Sequence, residues 1–346
     1  MKLLSFARPV AALAALASFA ATAQAQSSVT VYGRVNTTVE SQKSGDERKT
    51  VMQNNASRWG LRGIEDLGDG LKAHFRLESG FGSDDGSLTR NELGQFQVSA
   101  DSPNALFNRE AFLGLSGGFG AVRLGRILSP VYLASADYVS MHNHDTGTSS
   151  DALFAFQATG LNNNNTLAYE TPEFYGTTVE VAHSMNTESA NNNRDTTQVA
   201  LNFNQGSLHL GAGYAVSNDN RLSPSTKDEM GVLRGLYDFG PFVLGAYYEY
   251  AKLDVADVRR ARNNVRVSGM YRLDASEFHA NVGYAGDLKG LSDSGALQWT
   301  LAYNYNLSKR TKVYAFYSEV RDDGAGYYVQ DGRTNSYAAL GIRHNF

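Results

Sequence analysis

Several short motifs in this 346-residue chain carry residue types that perform chemistry in other settings. Gly114-Leu115-Ser116-Gly117-Gly118 matches the G-x-S-x-G elbow, in which a serine nucleophile sits on a strand–turn–helix. Here Phe119-Gly120 and a further alternating run follow, so the segment reads as a tight turn between strands. A hydrolase built on Ser116 is the remotest function considered. His142, His144 and Asp145 could chelate a metal, but zinc takes three or four ligands in fixed geometry and no further ligand group is evident. The stretch reads as polar loop, with no metal expected. Asp84-Asp85-Gly86 with Asn91 and Glu92 lacks the spacing of an EF-hand loop, so at most it binds calcium weakly at the surface. There is no phosphate-binding P-loop and no dinucleotide fingerprint. The expectation is a protein without cofactor that is not an enzyme.

A different chemistry lies in the basic residues. Arg34, Arg58, Arg62, Lys72, Arg76 and Arg123 each fall at the polar positions of an alternating run. Basic side chains repeated along one wall of a water-filled passage bias it toward anions. Such a wall requires strands that hold every second residue on the same side.

Those strands are visible as period-2 alternation. In Val29 to Glu40, Val29, Val31, Val35 and Val39 point one way, and Thr30, Tyr32, Arg34, Asn36 and Thr38 the other. In Leu71 to Phe81, Leu71, Ala73, Phe75 and Leu77 oppose Lys72, His74, Arg76 and Glu78. Alternation of this kind puts one face in an apolar medium and one in water. Sixteen such segments follow one another, from Val29 to a last strand at Ser336–Phe346. Connectors alternate between short turns, such as Glu65 to Gly70, and long polar ones, such as Ser41–Ala56, Gly82–Phe107 and Leu253–Asn263. Short turns at one end and long loops at the other, with an even strand number, are the layout of a bacterial outer-membrane barrel. The fold class expected is all-β, a transmembrane 16-stranded antiparallel β-barrel. In the last strand Ala338, Leu340, Ile342, His344 and Phe346 share a face, with Arg343 on the other; Phe346 should face lipid. Aromatic groups such as Tyr247, Tyr248 and Tyr250, then Tyr303 and Tyr305, then Tyr314, Phe316 and Tyr317, suit the headgroup level of a membrane.

The bulk composition agrees. Glycine (34), tyrosine (19) and phenylalanine (17) are plentiful, and proline (6) is scarce. The absence of cysteine excludes a disulfide framework and Cys-based metal sites. Lys2 and Arg8, the apolar run Val10–Ala23 and the small-x-small Ala23-Gln24-Ala25 form a secretory signal peptide spanning residues 1–25. That leaves residues 26–346 as a single barrel. The formal charge of −4 becomes −4 − 2 = −6 without those two cations, which argues against nucleic acid as a partner.

Several segments together resemble the Gram-negative general porins: QSSVTVYG, SRWGLRGIEDLGDGLKAHFRLE (Ser57–Glu78), NREAFLGLSGGFGAVRLGR (Asn108–Arg126), AYETPEFYG (Ala168–Gly176), NLSKRTKVYAFYS (Asn306–Ser318) and the ending Gly-x-Arg-His-x-Phe. The resemblance covers essentially the whole chain after residue 25. It implies a homotrimer in the Gram-negative outer membrane, in contact with lipid and lipopolysaccharide, and a long third loop folded into each pore. That loop corresponds to about Leu128–Asn165, with Asp137, Asp145 and Asp151 and no Lys or Arg. The resemblance also implies that Arg58 and Arg109 sit at the pore constriction, Arg109 lying three residues before an outward-facing Phe112. A third arginine of some anion-selective relatives is replaced here by Asn162, and the terminal Phe346 resembles the signal read by the barrel assembly machinery. The function implied is passive diffusion of small hydrophilic solutes and ions with a weak anion preference. The alternative is a porin preferring organic anions or phosphate.

Overall fold

The computed structural model describes residues 28–88, 105–142, 147–185, 194–219, 226–255, 257–325, 328–329 and 334–346. The expected signal peptide, His144, Asp145, Asn91 and Glu92 lie outside these. The first strands are β1 (Ser28–Ser44), β2 (Glu47–Asn54), β3 (Arg58–Gly68), β4 (Leu71–Gly80), β5 (Glu110–Gly117), β6 (Gly120–Leu128), β7 (Asn162–Glu170) and β8 (Thr177–Ser184). They are followed by β9 (Arg194–Gln205), β10 (Leu208–Asp219), β11 (Thr226–Asp238), β12 (Phe242–Val255) and β13 (Val258–Leu273). The series ends with β14 (Ser276–Ala285), β15 (Ala296–Asn306), β16 (Thr311–Asp322) and β17 (Thr334–Asn345). Each is antiparallel to its neighbour, and β1 also pairs with β17, so the sheet closes on itself.

The barrel has sixteen strands because β2 and β3 are two halves of one. β1 pairs with β2 through Thr37–Ser44 and with β3 through Ser28–Arg34. The break falls at Ala56, whose φ of 55° takes the chain out of strand geometry. Side chains satisfy the freed backbone groups: Ser57 Oγ accepts from Asn36 N at 2.9 Å, and Asn54 Oδ1 accepts from Ser57 N at 3.1 Å.

In hydrocarbon every backbone N–H must find its partner within the protein, and a closed ladder achieves this. The outward face is correspondingly apolar: Val31, Leu113, Leu233, Leu301 and Leu340 are among its exposed side chains. The alternate residues, Asn36, Thr38, Glu78, Asn264, Arg266, Gln298 and Thr300, are buried on the inward face.

The structure corrects some expectations. The supposed loop Ser41–Ala56 is mostly a β1–β2 hairpin turning at Gly45, and within Leu253–Asn263 the β12–β13 ladder runs on to the Val255–Val258 pair. Both ladders run past the apolar zone, where both faces are wet and the alternation that marks a strand is no longer required. Tyr248, Tyr250, Tyr303, Tyr305 and Tyr317 are exposed on the outward face, but Tyr247, Tyr314 and Phe316 are buried on the inward one. The last strand behaves as expected, with Ala338, Leu340, Ile342, His344 and Phe346 exposed. Phe346 closes the ring by exchanging two 3.0 Å backbone hydrogen bonds with Gly33.

Candidate functional site

Cross-strand register brings the arginines of the first strands together on the inward face. Arg34 lies opposite Arg58, Tyr32 opposite Gly60, and Gly60 in turn opposite Glu78. Gly60 is required here: a Cβ would lie 2.9 Å from the Tyr32 hydroxyl and 2.7 Å from Leu77 O. The space lets Tyr32 donate to Glu78 Oε2 at 2.7 Å. The other Glu78 oxygen takes Arg109 Nε at 2.5 Å and faces Arg58 Nε at 3.9 Å. Two guanidiniums therefore share one carboxylate. One step along the wall, Arg76 donates to Glu110 Oε2 at 2.7 Å and Arg123 pairs with Glu180. Arg62 lies over the Tyr32 ring, 5.2 Å from its centroid. Arg34 and Arg343 both donate to Asn345 Oδ1, at 3.4 and 3.3 Å.

Phe112 points inward, contrary to expectation. It is 8% exposed, and its ring lies 5.8 Å from the Arg76 guanidinium and 5.7 Å from that of Arg123. Arg109 nevertheless reaches Glu78, because it precedes β5 and is not bound by that strand's parity. Its carbonyl accepts from Asn162 Nδ2 at 2.6 Å. Asn162 thus braces the backbone that carries Arg109 and adds no charge.

The third long connector joins β6 to β7. It contains the short helices α1 (Pro130–Ala134), α2 (Ala136–Val139) and α3 (Phe156–Thr159), with a 3₁₀ turn at Gly147–Ser149 between the last two. Ser129 caps α1 by accepting from Tyr132 N at 3.1 Å, and Pro130 occupies the first turn, where no N–H is needed. Val131, Tyr132, Val139, Phe154 and Phe156 form one apolar cluster with inward residues of the wall, Ala200, Ala215, Met230, Val232, Tyr247 and Leu253.

Asp151 is the charged anchor of this packing. Arg266 of β13 grips it with two hydrogen bonds of 2.8 and 2.7 Å, and the Tyr247 hydroxyl donates to it at 2.5 Å. The Arg266 and Asp151 side chains are only 1% and 6% exposed. Gln298 brackets the same turn, accepting from Ala152 N at 2.9 Å and donating to Ser150 O at 2.8 Å. Arg234 donates to Ala134 O at 2.9 Å and stacks 3.7 Å from the Tyr138 ring centroid. His142 is buried and bonded to Asn304. Asp137 is half-buried in α2.

The expected picture of loop acids facing wall arginines is therefore altered. Asp151 is spent on Arg266, and the acids that meet Arg58, Arg76, Arg109 and Arg123 are Glu78, Glu110 and Glu180 on the wall itself. Sequence reasoning passed over these glutamates although alternation already places Glu78 beside Arg76. It also passed over Arg266, yet Arg262, Asn264, Arg266 and Ser268 alternate with the outward Val265 and Val267. Ser116 lies one residue before the end of β5, which leads through a hairpin into β6 with no helix, so the elbow geometry is absent at that point.

A family model described as Gram-negative porin matches residues 12–325. The outer membrane porin protein 32 of Delftia acidovorans is 31% identical, over 97% of this chain and 98% of its own. The major outer membrane protein P.IB of Neisseria meningitidis (serogroup B strain H44/76) is 24% identical, over 96% and 99%. Among solved structures, an anion-selective porin from Comamonas acidovorans superposes with a TM-score of 0.77 at 28% identity, covering 92% of this chain and all of that one.

Proposed function

Because this chain belongs to the Gram-negative porins, we propose that its arginine wall sets which solutes the channel favours. As a member of that family it is an outer-membrane channel for passive diffusion of small hydrophilic solutes and ions, and it is not an enzyme. The finer reading concerns selectivity. The loop packed against β9–β13 narrows the lumen, and solutes pass along Arg34, Arg58, Arg62, Arg76, Arg109 and Arg123. The observation that carries this is the sharing of Glu78 by Arg58 and Arg109, so that these three side chains sum to one positive charge. The result is a weak anion preference. Glu78, Glu110 and Glu180 moderate it, and Asn162 withholds a further positive charge. The similarity to an anion-selective porin supports the direction. A stronger preference for organic anions or phosphate would use the same ladder.

The test is the zero-current potential of single channels in a KCl gradient. Wild type should reverse on the chloride side, and Arg58→Ser and Arg109→Ser should each move it toward potassium. A wild-type reversal at the potassium potential, or no shift in either variant, overturns the assignment. The remaining parts of the reading follow the family. Residues 1–25 are an export signal, Phe346 marks the chain for the assembly machinery, and the working unit is a homotrimer in contact with lipopolysaccharide.

A further inference from the structure

On the outward face of β12–β16 a groove of about 670 Å³ is set into the wall. Register shows how it arises. One row across the strands reads Leu244, Gly269, Ala280, Leu301, so two small residues leave a hollow between two leucines. The next row toward the short turns reads Phe242, Tyr271, Phe278, Tyr303. Its rings follow one another with centroids 4.6, 6.3 and 5.1 Å apart and form a shelf along one side of the hollow. The Tyr303 hydroxyl meets Ser276 Oγ at 3.0 Å, so the polar edge of the shelf is turned to the start of β14. Apolar rings with a polar edge mark the headgroup level of a membrane. Short turns lie on the periplasmic side of a bacterial barrel. The hollow therefore lies at acyl-chain depth in the periplasmic leaflet.

The turns beside the shelf are unevenly charged. The β15–β16 turn carries Lys309 and Arg310, both exposed, and no acid. Among the described residues neither of them makes an ion pair. On the adjoining turns Arg272 pairs with Asp238 at 2.5 Å, and Asp274 is exposed. Counted together, Arg272, Lys309 and Arg310 exceed Asp238 and Asp274 by one charge, and the excess is concentrated on one turn. Glu277 and Lys312 alternate with the outward Phe278 and Val313 and so face the lumen. Glu319, farther from the turns on the outward face, pairs with Arg321 at 2.8 Å. Tyr303 is four residues from Leu307, the first residue of the β15–β16 turn. At the usual rise and tilt of barrel strands this is roughly 10 Å along the membrane normal. The headgroup layer occupies about 5–8 Å of that distance, and long basic side chains reach back to it.

We propose that this groove is a binding site for an acidic phospholipid of the periplasmic leaflet. One acyl chain fills the hollow over Gly269 and Ala280 and packs against the ring shelf. The negatively charged headgroup meets Lys309 and Arg310. The hollow alone would accept a chain of any lipid. The two cations add a preference for a lipid of net negative charge over a zwitterionic one with the same chains.

The chain itself supplies the reporter. It holds two tryptophans, Trp59 and Trp299. The Trp299 ring lies 5.1 Å from that of Tyr317, which lines the groove. The Trp59→Phe protein, otherwise the full chain, is reconstituted into phosphatidylcholine vesicles. These contain a minor fraction of a lipid brominated on its chains, either phosphatidylglycerol or phosphatidylcholine, and bromine quenches indole fluorescence on contact. Brominated phosphatidylglycerol should quench Trp299 as if enriched about two- to fivefold over its bulk fraction, the scale of basic residues at an acidic membrane surface. Brominated phosphatidylcholine should quench in proportion to its fraction. Lys309→Gln with Arg310→Gln should remove the excess, and Ala280→Leu, which fills the hollow, should lower it. Equal quenching by the two lipids, or an excess that survives the double variant, overturns the site. Absence of quenching by either lipid means that another protein surface, such as a second copy, covers the face, and this also overturns it. The comparison of the two lipids needs only Trp59→Phe, so it decides the matter even where a groove variant fails to fold. Single-channel conductance identifies such a variant.

Discussion

Replacing Glu78 with glutamine should make the channel more anion-selective, even though no cation is added. Glu78 holds Arg109 at 2.5 Å and Arg58 at 3.9 Å, so the three side chains carry one net positive charge. Glutamine keeps an oxygen to accept from Arg109 and raises that charge by one unit. An ion passing about 6 Å away in water then feels an added ~0.7 kcal/mol, favourable for chloride and unfavourable for potassium. At 0.1 M salt, screening over a Debye length of about 10 Å roughly halves this. The two signs together change the anion-to-cation permeability ratio by about four- to tenfold. The assay is the reversal potential across a planar bilayer in a KCl gradient, with single-channel conductance as a check that the pore is intact. The double variant Asp151→Asn with Arg266→Gln serves as the contrast. It removes both charges of a buried, matched pair, so the same measurement should change little. If Glu78→Gln leaves the potential unmoved while the double variant shifts it, the field arises in the loop and the reasoning from the wall is wrong.

Other outcomes follow from the same geometry. Asp151→Ala strands the buried Arg266 guanidinium, at a cost of about 3–5 kcal/mol; protease should then cut the third loop faster, and Asp151→Ala with Arg266→Met should restore much of the protection. Gly33→Ala would put a Cβ 2.6 Å from Arg58 O and 2.4 Å from the Phe346 ring, so the closing contact must shift. A loss of about 1–3 kcal/mol is expected from overpacking, read as a lower urea midpoint for unfolding from vesicles. Leu301→Arg, on the lipid face of β15, should cost about 2–4 kcal/mol in the same titration, while Thr300→Arg on the opposite face should chiefly lower conductance.

The barrel was legible because its medium imposes a simple rule. Lipid outside and water inside force an apolar residue at every second position, and runs such as Val29–Glu40 state that rule directly. Closure could be read from the last strand, whose Leu340 and Ile342 continue the outward face of Val39 and Val35. What could not be read is where the rule is suspended. Phe112, Tyr314 and Phe316 are apolar yet inward, since the barrel interior is packed with loop and basic side chains as well as water. Alternation cannot distinguish lipid from a packed loop. The hairpin ending at Gly45 was hidden for the opposite reason, because beyond the membrane both faces may be polar.

The charges divide along the same line. Where the third loop meets the wall, burial is tolerable only if charge is cancelled at close range, and Arg266 with Asp151 and Tyr247 accomplishes this with hydrogen bonds of 2.5–2.8 Å. Those groups fix the loop and contribute little field to the lumen. On the facing strands Arg58 and Arg109 meet the same acid, Arg62 lies over an aromatic ring, and Arg34 and Arg343 donate to the same amide. Of the loop acids prominent in the sequence, Asp151 is spent on Arg266. An acid influences passing ions only if its charge is not already spent, and the sequence lists charges without their partners.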